Sequence, residues 1–530
     1  MTLVAVSGIN TAFSWHSAGM RVLVTTACAT LCVSCAVGPD YEAPQVDTQE
    51  SWIDSDDAHL DASKFDDGAW WEAFNDSTLS GLIDLARNEN LSLQIAAVRM
   101  LEARAQLAVA RGSIWPQKQD ATGRAANVGL SNNAPNLAVA DRAHWDFQFG
   151  FDAAWELDVW GRYRRGIEAA DAAWLASVAG YRDALVTVCA EVARSYVTLR
   201  TLEKRLQLAQ RNVTLQKDSL EIAESRHRNG LVSELDVAQS RSLLHATEAA
   251  VPRLEIGIRR ARHAISTLLG RPPQALHELL SADRAGAIPA PPPEVAVGTP
   301  VDLLRRRPDV RRAELQAAAQ SAVIGVAAAD LYPRFTLLGS IGLATSDDGG
   351  AVSNRATFDD LFNASSLTYV VGPSFTWPIL NYGRLTNRVR VEDARFEQLA
   401  LAYRDTVLNA AREVEDALVA FLREQITARA LDESVVSADR SVTLALSQYR
   451  AGVVTYQRVV DTQRFLVVQQ DRATEAHGNI ALNLIAAYKA LGGGWQPGAA
   501  DPLPAQPVRQ RMTSRTNWGE ILVEPDGSGP

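Results

Sequence analysis

Between Asp146 and Trp160 the chain alternates. Phe147, Phe149, Phe151, Ala153, Trp155, Leu157 and Val159 hold the odd positions, and Asp146, Gln148, Gly150, Asp152, Glu156 and Asp158 most of the even ones. A period of two over about 14 residues predicts a strand with one oily and one wet face. The same parity returns later, with Tyr369, Val371, Pro373, Phe375, Trp377 and Ile379 set against Thr368, Gly372, Ser374 and Thr376. A further strand is expected before each of these. Phe335, Leu337, Ile341 and Leu343 supply one, and a weakly patterned stretch near Asp120 to Val128 supplies the other. At about 3.3 Å per residue such strands can cross the hydrocarbon core of a bilayer even when tilted. Lipid-exposed strands cannot leave an open edge, because its backbone groups would find no partner. Four strands cannot close a water-filled barrel, so several chains are expected to contribute.

After Gly161 and Gly383 the period becomes helical. Leu185, Val188, Val192, Leu199, Leu202, Leu206, Ala209, Val213, Leu220 and Ala223 follow three-four spacing, as do Val407, Ala410, Val414, Ala417, Phe421, Ala428, Leu431, Val435, Ala438 and Val442. No Pro and only Gly166 and Gly180 interrupt Arg162 to Arg228, so an unbroken helix here would reach about 100 Å at 1.5 Å per residue. Its apolar stripe must pack along other helices in coiled-coil fashion. Turns at Asn229-Gly230-Leu231-Val232-Ser233 and Ala451-Gly452-Val453-Val454-Thr455 end both helices, with Gly as the left-handed cap and Ser or Thr placed to cap the next helix. Return helices then run to Leu269-Gly270 and Leu491-Gly492. Upstream, Leu79, Leu82, Ile83, Ala86, Leu93, Ala96, Ala97, Met100 and Leu101 carry a helical pattern between Trp70 and about Ser113, ended by Pro116.

The two halves are copies. Tyr181-Arg182-Asp183 returns as Tyr403-Arg404-Asp405, and Gly161-Arg162 as Gly383-Arg384, each 222 residues later (403 − 181, 383 − 161). That offset holds from Gly150/Gly372 to Gly270/Gly492, which points to duplication and to a symmetric assembly such as a tube more than to a catalytic cleft.

The N-terminus changes the compartment. Met20-Arg21 precedes a short apolar run, Val22 to Leu31, ending in Val33-Ser34-Cys35. This reads as a signal segment, residues 1–34 with an initiator at Met20, too short to remain as a membrane span. Small residues before a Cys resemble a bacterial lipobox, so Cys35 is the expected lipidation site and a lipid anchor is expected there. The remaining boundaries are an extended linker over 35–69, a first repeat over 70–283, a Pro-rich linker over 284–300, a second repeat over 301–495 and a loose C-terminal tail over 496–530. Cys28 and Cys32 would leave with the signal, and Cys189 reads as a small buried side chain. A net charge of −10 and a sequence pI near 5.4 argue against nucleic acid. With 22% charged residues and a mean hydropathy of −0.09, the chain is neither a polytopic helical membrane protein nor globally disordered.

No phosphate loop, metal-ligand cluster or nucleophile–base constellation stands out. The eight His are scattered, and Glu413 and Glu415, two apart on a helix, point different ways. Neither an enzyme nor a cofactor or metal is expected.

Several motifs together resemble the outer membrane factors (TolC-like channels) of RND-type tripartite efflux systems, in their NodT-family lipoprotein branch. They are Cys35-Ala36-Val37-Gly38-Pro39-Asp40-Tyr41, Trp70-Trp71 with Asn88-Glu89-Asn90, Trp155-Glu156-Leu157-Asp158-Val159-Trp160-Gly161-Arg162, Pro300 with Asp302-Leu303-Leu304-Arg305-Arg306-Arg307-Pro308-Asp309-Val310, and the two Gly turns. The resemblance implies an α+β membrane channel, mainly α with long coiled-coil helices. Four strands from each of three protomers would form a 12-stranded β-barrel in outer membrane lipid of a Gram-negative bacterium, continued by a periplasmic α-barrel. It implies a homotrimer serving as exit duct for drugs or other small molecules, with a periplasmic membrane fusion adaptor and an inner-membrane RND pump as partners. Phe147, Phe149, Phe151, Trp155, Tyr369, Phe375 and Trp377 would face lipid. Gly230, Leu231, Gly452 and Val453 would meet the adaptor. Asp236, Tyr449 and Asp461 resemble gate residues, and Arg458 stands where those channels carry an aspartate. A pairing of Arg458 with Asp236 or Asp461 is a further expectation. Two other readings are a channel for type I protein secretion and a periplasmic coiled-coil scaffold without a pore.

Overall fold

The computed structural model describes residues 36–47, 49–61, 68–131, 133, 141–273, 276, 279–280, 284–292, 295–300, 306–348, 356–496 and 503–522. The signal segment and Cys35 lie outside these residues, as do Asp302 to Arg305 of the arginine motif. The chain forms two compact units. One holds 36–43, Arg104–Ala173 and Gln316–Ala400; the other holds the described residues of Pro44–Ala103, Trp174–Leu315 and 401–522.

The first unit is built on one antiparallel sheet, β1 (Lys118–Gly129), β2 (Ala143–Leu157), β3 (Arg334–Ser346) and β4 (Leu367–Thr376), in that spatial order. The register pairs odd residues with odd: Phe149 faces Gly123 and Leu343, Phe151 faces Ala121 and Ile341, and Ile341 faces Tyr369. One face therefore carries the aromatic side chains and most of the large aliphatic ones, Leu338 and Val370 being among the exceptions. The other carries Asp146, Gln148, Asp152, Glu156, Ser340, Thr336, Ser374, Asp120 and Arg124. β1 is poorly patterned because its apolar face is made of Ala121, Gly123 and Ala125.

The segment Asp158 to Trp160 is not strand but joint. Asp158 receives the backbone N–H groups of Tyr163 and Arg164 at 2.9 Å each, capping the helix α3 (Arg162–Arg228) that follows. Trp160 stacks on Tyr332 with centroids 4.6 Å apart and donates its indole N–H to the Pro333 carbonyl at 2.8 Å. The N-terminal stretch crosses this joint as an extended strap. Val37 N–H donates to the Trp160 carbonyl at 3.0 Å, and the buried Arg165 guanidinium reaches the carbonyls of Val37 and Gly38 and the Asp40 carboxylate.

The second unit is helical. It takes in α1 (Ser77–Glu89), the start of α2 (Leu91–Gly112), most of α3, then α4 (Glu234–Glu248), α5 (Ala250–Leu268), most of α7 (Arg384–Arg450), α8 (Tyr456–Ala490) and α9 (Gln506–Thr513). Between α5 and α7 comes α6 (Pro308–Ala329), whose length matches α2. The helices α3 and α7 are each 67 residues long and begin 222 apart (384 − 162). A core of Leu79, Ile83, Val192, Tyr196, Leu199, Phe421, Leu484 and Ile485 joins α1, α3, α7 and α8, and Trp70, Trp71 and Tyr488 cluster within it.

Two expectations are corrected here. The return helix of the first copy is broken between α4 and α5, whereas its counterpart α8 is continuous. Pro252 explains the break, since its ring has no N–H and crowds the carbonyl of Glu248, the last residue of α4; the second copy has Thr474 there. The described residues of the Pro-rich linker pack within the second unit. Val295 and Val297 are buried, residues 295–296 pair in parallel with 60–61, and Trp52 donates to the Gly298 carbonyl at 3.1 Å. The tail is not loose across 503–522: α9 and the segment after it set Met512 and Leu522 against Leu101 of α2, with Val98, Val508, Trp518 and Ile521 around them.

Candidate functional site

The turns that end α3 and α7 lie side by side. Gly230 and Gly452 adopt φ of +71° and +75°, the left-handed cap that releases each helix into its return partner. Leu231 and Val453, just beyond them, are 66% and 74% exposed, an apolar pair left facing outward at the turns.

Behind the turns is a small separate core of Ala223, Val237, Leu243, Ala445, Tyr449, Tyr456, Val459 and Val460. Tyr449 is 2% exposed and meets Tyr456 edge-on at 5.0 Å. Its hydroxyl has no hydrogen-bond partner among the described residues. The Arg226 guanidinium lies over its ring, 4.7 Å from the centroid, and donates to the carbonyls of Tyr449 and Arg450 in the last turn of α7. The hydroxyl that does make a bond is that of Tyr456, 2.6 Å from Ser240 Oγ of α4. Burial, and after it the negative charge of Asp236, push the Tyr449 phenol up to about 12, so it stays neutral at any physiological pH.

The remaining residues implied by the resemblance are more open. Asp236 sits half-buried in the first turn of α4. Asp461 is exposed and accepts from the Gln457 side chain at 2.8 Å. Arg458 is exposed, and among the described residues it forms no ion pair with Asp236 or Asp461 within the chain. Arg226, Ser240 and Tyr456 were not singled out by sequence. Their partners lie 216 or more residues away, and no local spacing announces them.

The sheet is the second site. Phe149, Phe151, Tyr369 and Phe375 are exposed on its apolar face. Phe147 is half-buried between Trp145 and Phe358, at 5.9 and 5.2 Å. Trp155 is half-buried and donates to the Ile114 carbonyl at 3.0 Å. Trp377, one residue past β4, donates to the Leu331 carbonyl at 3.1 Å. The outer edges of β1 and β4 are unpaired by any described strand. Among the described residues no helix is long and apolar enough to cross a membrane.

A two-faced sheet with open edges, carried on the same chain as duplicated 67-residue helices, defines a pore-forming class of protein. Residues 82–271 and 299–493 match the family described as outer membrane efflux protein, and the chain belongs to that family. It is 31% identical over 468 residues to nodulation protein T of Rhizobium leguminosarum bv. trifolii, covering 87% of this chain and 95% of that protein. It is 32% identical over 438 residues to the pyoverdine export outer membrane protein OpmQ of Pseudomonas putida, covering 82% and 90%. Among solved structures, the outer-membrane channel OprN superposes with a TM-score of 0.80 at 32% identity, over 87% of this chain and all of that one. The protein is thus an efflux channel of the Gram-negative outer membrane. Its fold class is α+β and mainly helical, with four strands per chain toward a barrel shared by three chains.

Proposed function

We propose that three copies of the chain form the exit duct of a tripartite system that passes small molecules, drugs among them, out of the cell. The observation that carries this is the register of the sheet. Four strands align the aromatic side chains and most of the large aliphatic ones on one face and the carboxylates on the other, where Leu338 and Val370 are among the apolar exceptions, and leave two edges that further chains can close. A coiled-coil scaffold without a pore has no use for such a sheet. An exposed row on α7 supports the trimer: Leu401 and Val419 are 18 residues apart, as are Leu408, Ile426 and Leu444. Eighteen residues make five turns of a straight α-helix, so the row stays on one face and offers a seam to a neighbour.

Two further assignments belong to this reading. Cys35 is the lipidated N-terminus, one residue before the strap that ties Val37 to Trp160. The exposed Leu231 and Val453, with Gly230 and Gly452, are the contact for a periplasmic adaptor that couples the duct to an inner-membrane RND pump. Asp236, Tyr449, Arg458 and Asp461 control passage at these turns.

The test is reconstitution of the purified full-length protein in planar bilayers together with a deletion strain. Stepwise ion conductance, heat-modifiable trimers and a rise in drug sensitivity on deletion are expected. Material that never conducts overturns the channel, and a deletion that blocks secretion of a protein while leaving drug sensitivity unchanged moves the cargo to type I secretion.

A further inference from the structure

The helical unit also holds an open cleft of about 730 Å³, placed where Pro252 breaks the first return helix. Both sides of the break line it: Leu243 and Ala246 come from α4, and Ala250, Arg253 and Leu254 from α5. Leu208 of α3 and Val467 and Val468 of α8 complete an apolar floor. A cleft of this size lies in the range of small-molecule sites.

Its rim is cationic. Arg205, Arg253, Arg464 and Arg472 line the cleft against two carboxylates, Asp471 and Glu475, a local balance of +2 (4 − 2) on a chain whose formal net charge is −10. Arg205 and Asp471 satisfy each other in a two-pronged pair at 2.7 and 2.8 Å. Arg253, Arg464 and Arg472 are exposed and have no carboxylate partner among the described residues. Arg464 and Arg472 stand eight residues apart on α8, hence about 12 Å along its axis, with Val467 and Val468 between them. A bare inorganic anion would leave this apolar floor wet, and an uncharged hydrocarbon would leave the guanidiniums without a counter-charge. An acidic group on an apolar body answers both.

We propose that the cleft binds a small amphipathic organic anion from solution, with its acidic head on Arg253, Arg464 or Arg472 and its apolar body over Leu208, Leu254 and Val467. Arg253 lies beyond the break, and Arg464 and Arg472 lie on α8. An occupant therefore ties the bent return helix of the first copy to its counterpart in the second. Binding needs the folded helical unit and no open pore, so the site stands or falls separately from conduction.

The test uses the full-length trimer in nanodiscs of zwitterionic lipid. The probe is anilinonaphthalene sulfonate, and its neutral partner is phenylnaphthylamine, the same rings without the acid. Saturable fluorescence enhancement at one site per chain is expected above the background of empty discs, with the neutral compound at least about tenfold weaker. Arg253→Gln, Arg464→Gln and Arg472→Gln together are expected to abolish saturable binding at unchanged trimer and helix content, because all three side chains are exposed. Arg253→Lys, Arg464→Lys and Arg472→Lys together are expected to keep most of it. The introduced thiol of Val468→Cys, at a position 44% exposed, is expected to react with a maleimide and to be shielded by the probe. Equal affinity for the neutral compound overturns the charged rim, and binding unchanged in the triple glutamine variant overturns the site. A Val468→Cys thiol that is unreactive in the trimer without probe also overturns it, since a neighbouring chain then fills the cleft.

Discussion

Gly38 and Gly325 approach so closely that a Cβ on Gly38 would stand 2.4 Å from the Gly325 Cα, and Gly38 also has φ of +101°. Both facts forbid a side chain, so Gly38→Ala is expected to release the strap over 36–40 and cost more than about 2 kcal/mol. Faster proteolysis at the N-terminus, with a lower unfolding midpoint, checks this. A different constraint acts at Arg307, whose buried guanidinium donates to both Asp309 oxygens and to the carbonyls of Ala410 and Ala490, and pairs with Glu413. Burial by itself would raise the Asp309 carboxyl, but the hydrogen bonds and charge of Arg307 outweigh it and hold the group below its ordinary 3.8. The sign follows from linkage. A depressed folded value stabilises the protein above the unfolded value, and that stability is lost as pH falls through the folded one. Asp309→Asn is therefore expected to lower stability at pH 7 and to flatten its decline below about pH 4 in acid titrations followed by circular dichroism. Arg307→Met should lower the unfolding midpoint at pH 7, because it leaves the half-buried Asp309 without its partner.

Elements were read from sequence as far as their side chains declared a period. β2 and β4 were legible because large aromatics alternate with carboxylates or small polar groups, and α3 and α7 because neither contains a proline. β1 was faint because alanine and glycine make a weak apolar face, and only pairing with Phe147, Phe149 and Phe151 reveals it. The break before α5 was legible in principle, since Pro252 marks it, but the duplicated pattern suggested one continuous helix in both copies. The contacts behind the turns were not legible. Arg226 finds its carbonyls through tertiary packing, and nothing in the order of residues near it names the partner. The two faces of the sheet lead to a prediction by pairs. Phe149→Arg, on the apolar face, is expected to cost about 2–4 kcal/mol near mid-membrane and to deplete heat-modifiable trimers, whereas Gln148→Arg, one residue away on the wet face, should assemble normally. The row on α7 gives the matching test for the helices. Ile426→Glu places a charge where about 1.5–3 kcal/mol of apolar burial is expected at each of three contacts, so trimers should give way to monomers in light scattering at unchanged helix content.

At the scale of the molecule, threefold symmetry turns single charges into rings, and the rings decide what ions the duct prefers. Asp461 and Arg458 are both exposed, three residues apart on α8, hence about one helical turn, or 5 Å, along the axis. That spacing is below the Debye length of about 8 Å at physiological salt, so three carboxylates and three guanidiniums would largely cancel as seen by an ion in a shared bore. An all-acidic pair of rings would select cations firmly; this pair should select weakly. The two single changes then move in opposite directions. Arg458→Ala unmasks the carboxylate ring, and the ratio of cation to anion permeability should rise several-fold in a salt gradient. Asp461→Asn unmasks the cationic ring, and the same ratio should fall below one. Raising the salt to 1 M, where the Debye length is about 3 Å, should shrink both shifts, because the rings are then screened from the bore. Reversal potentials that stay fixed in both variants would place these side chains away from the conduction path and leave the preference to the carboxylates of the strands, Asp146, Asp152 and Glu156.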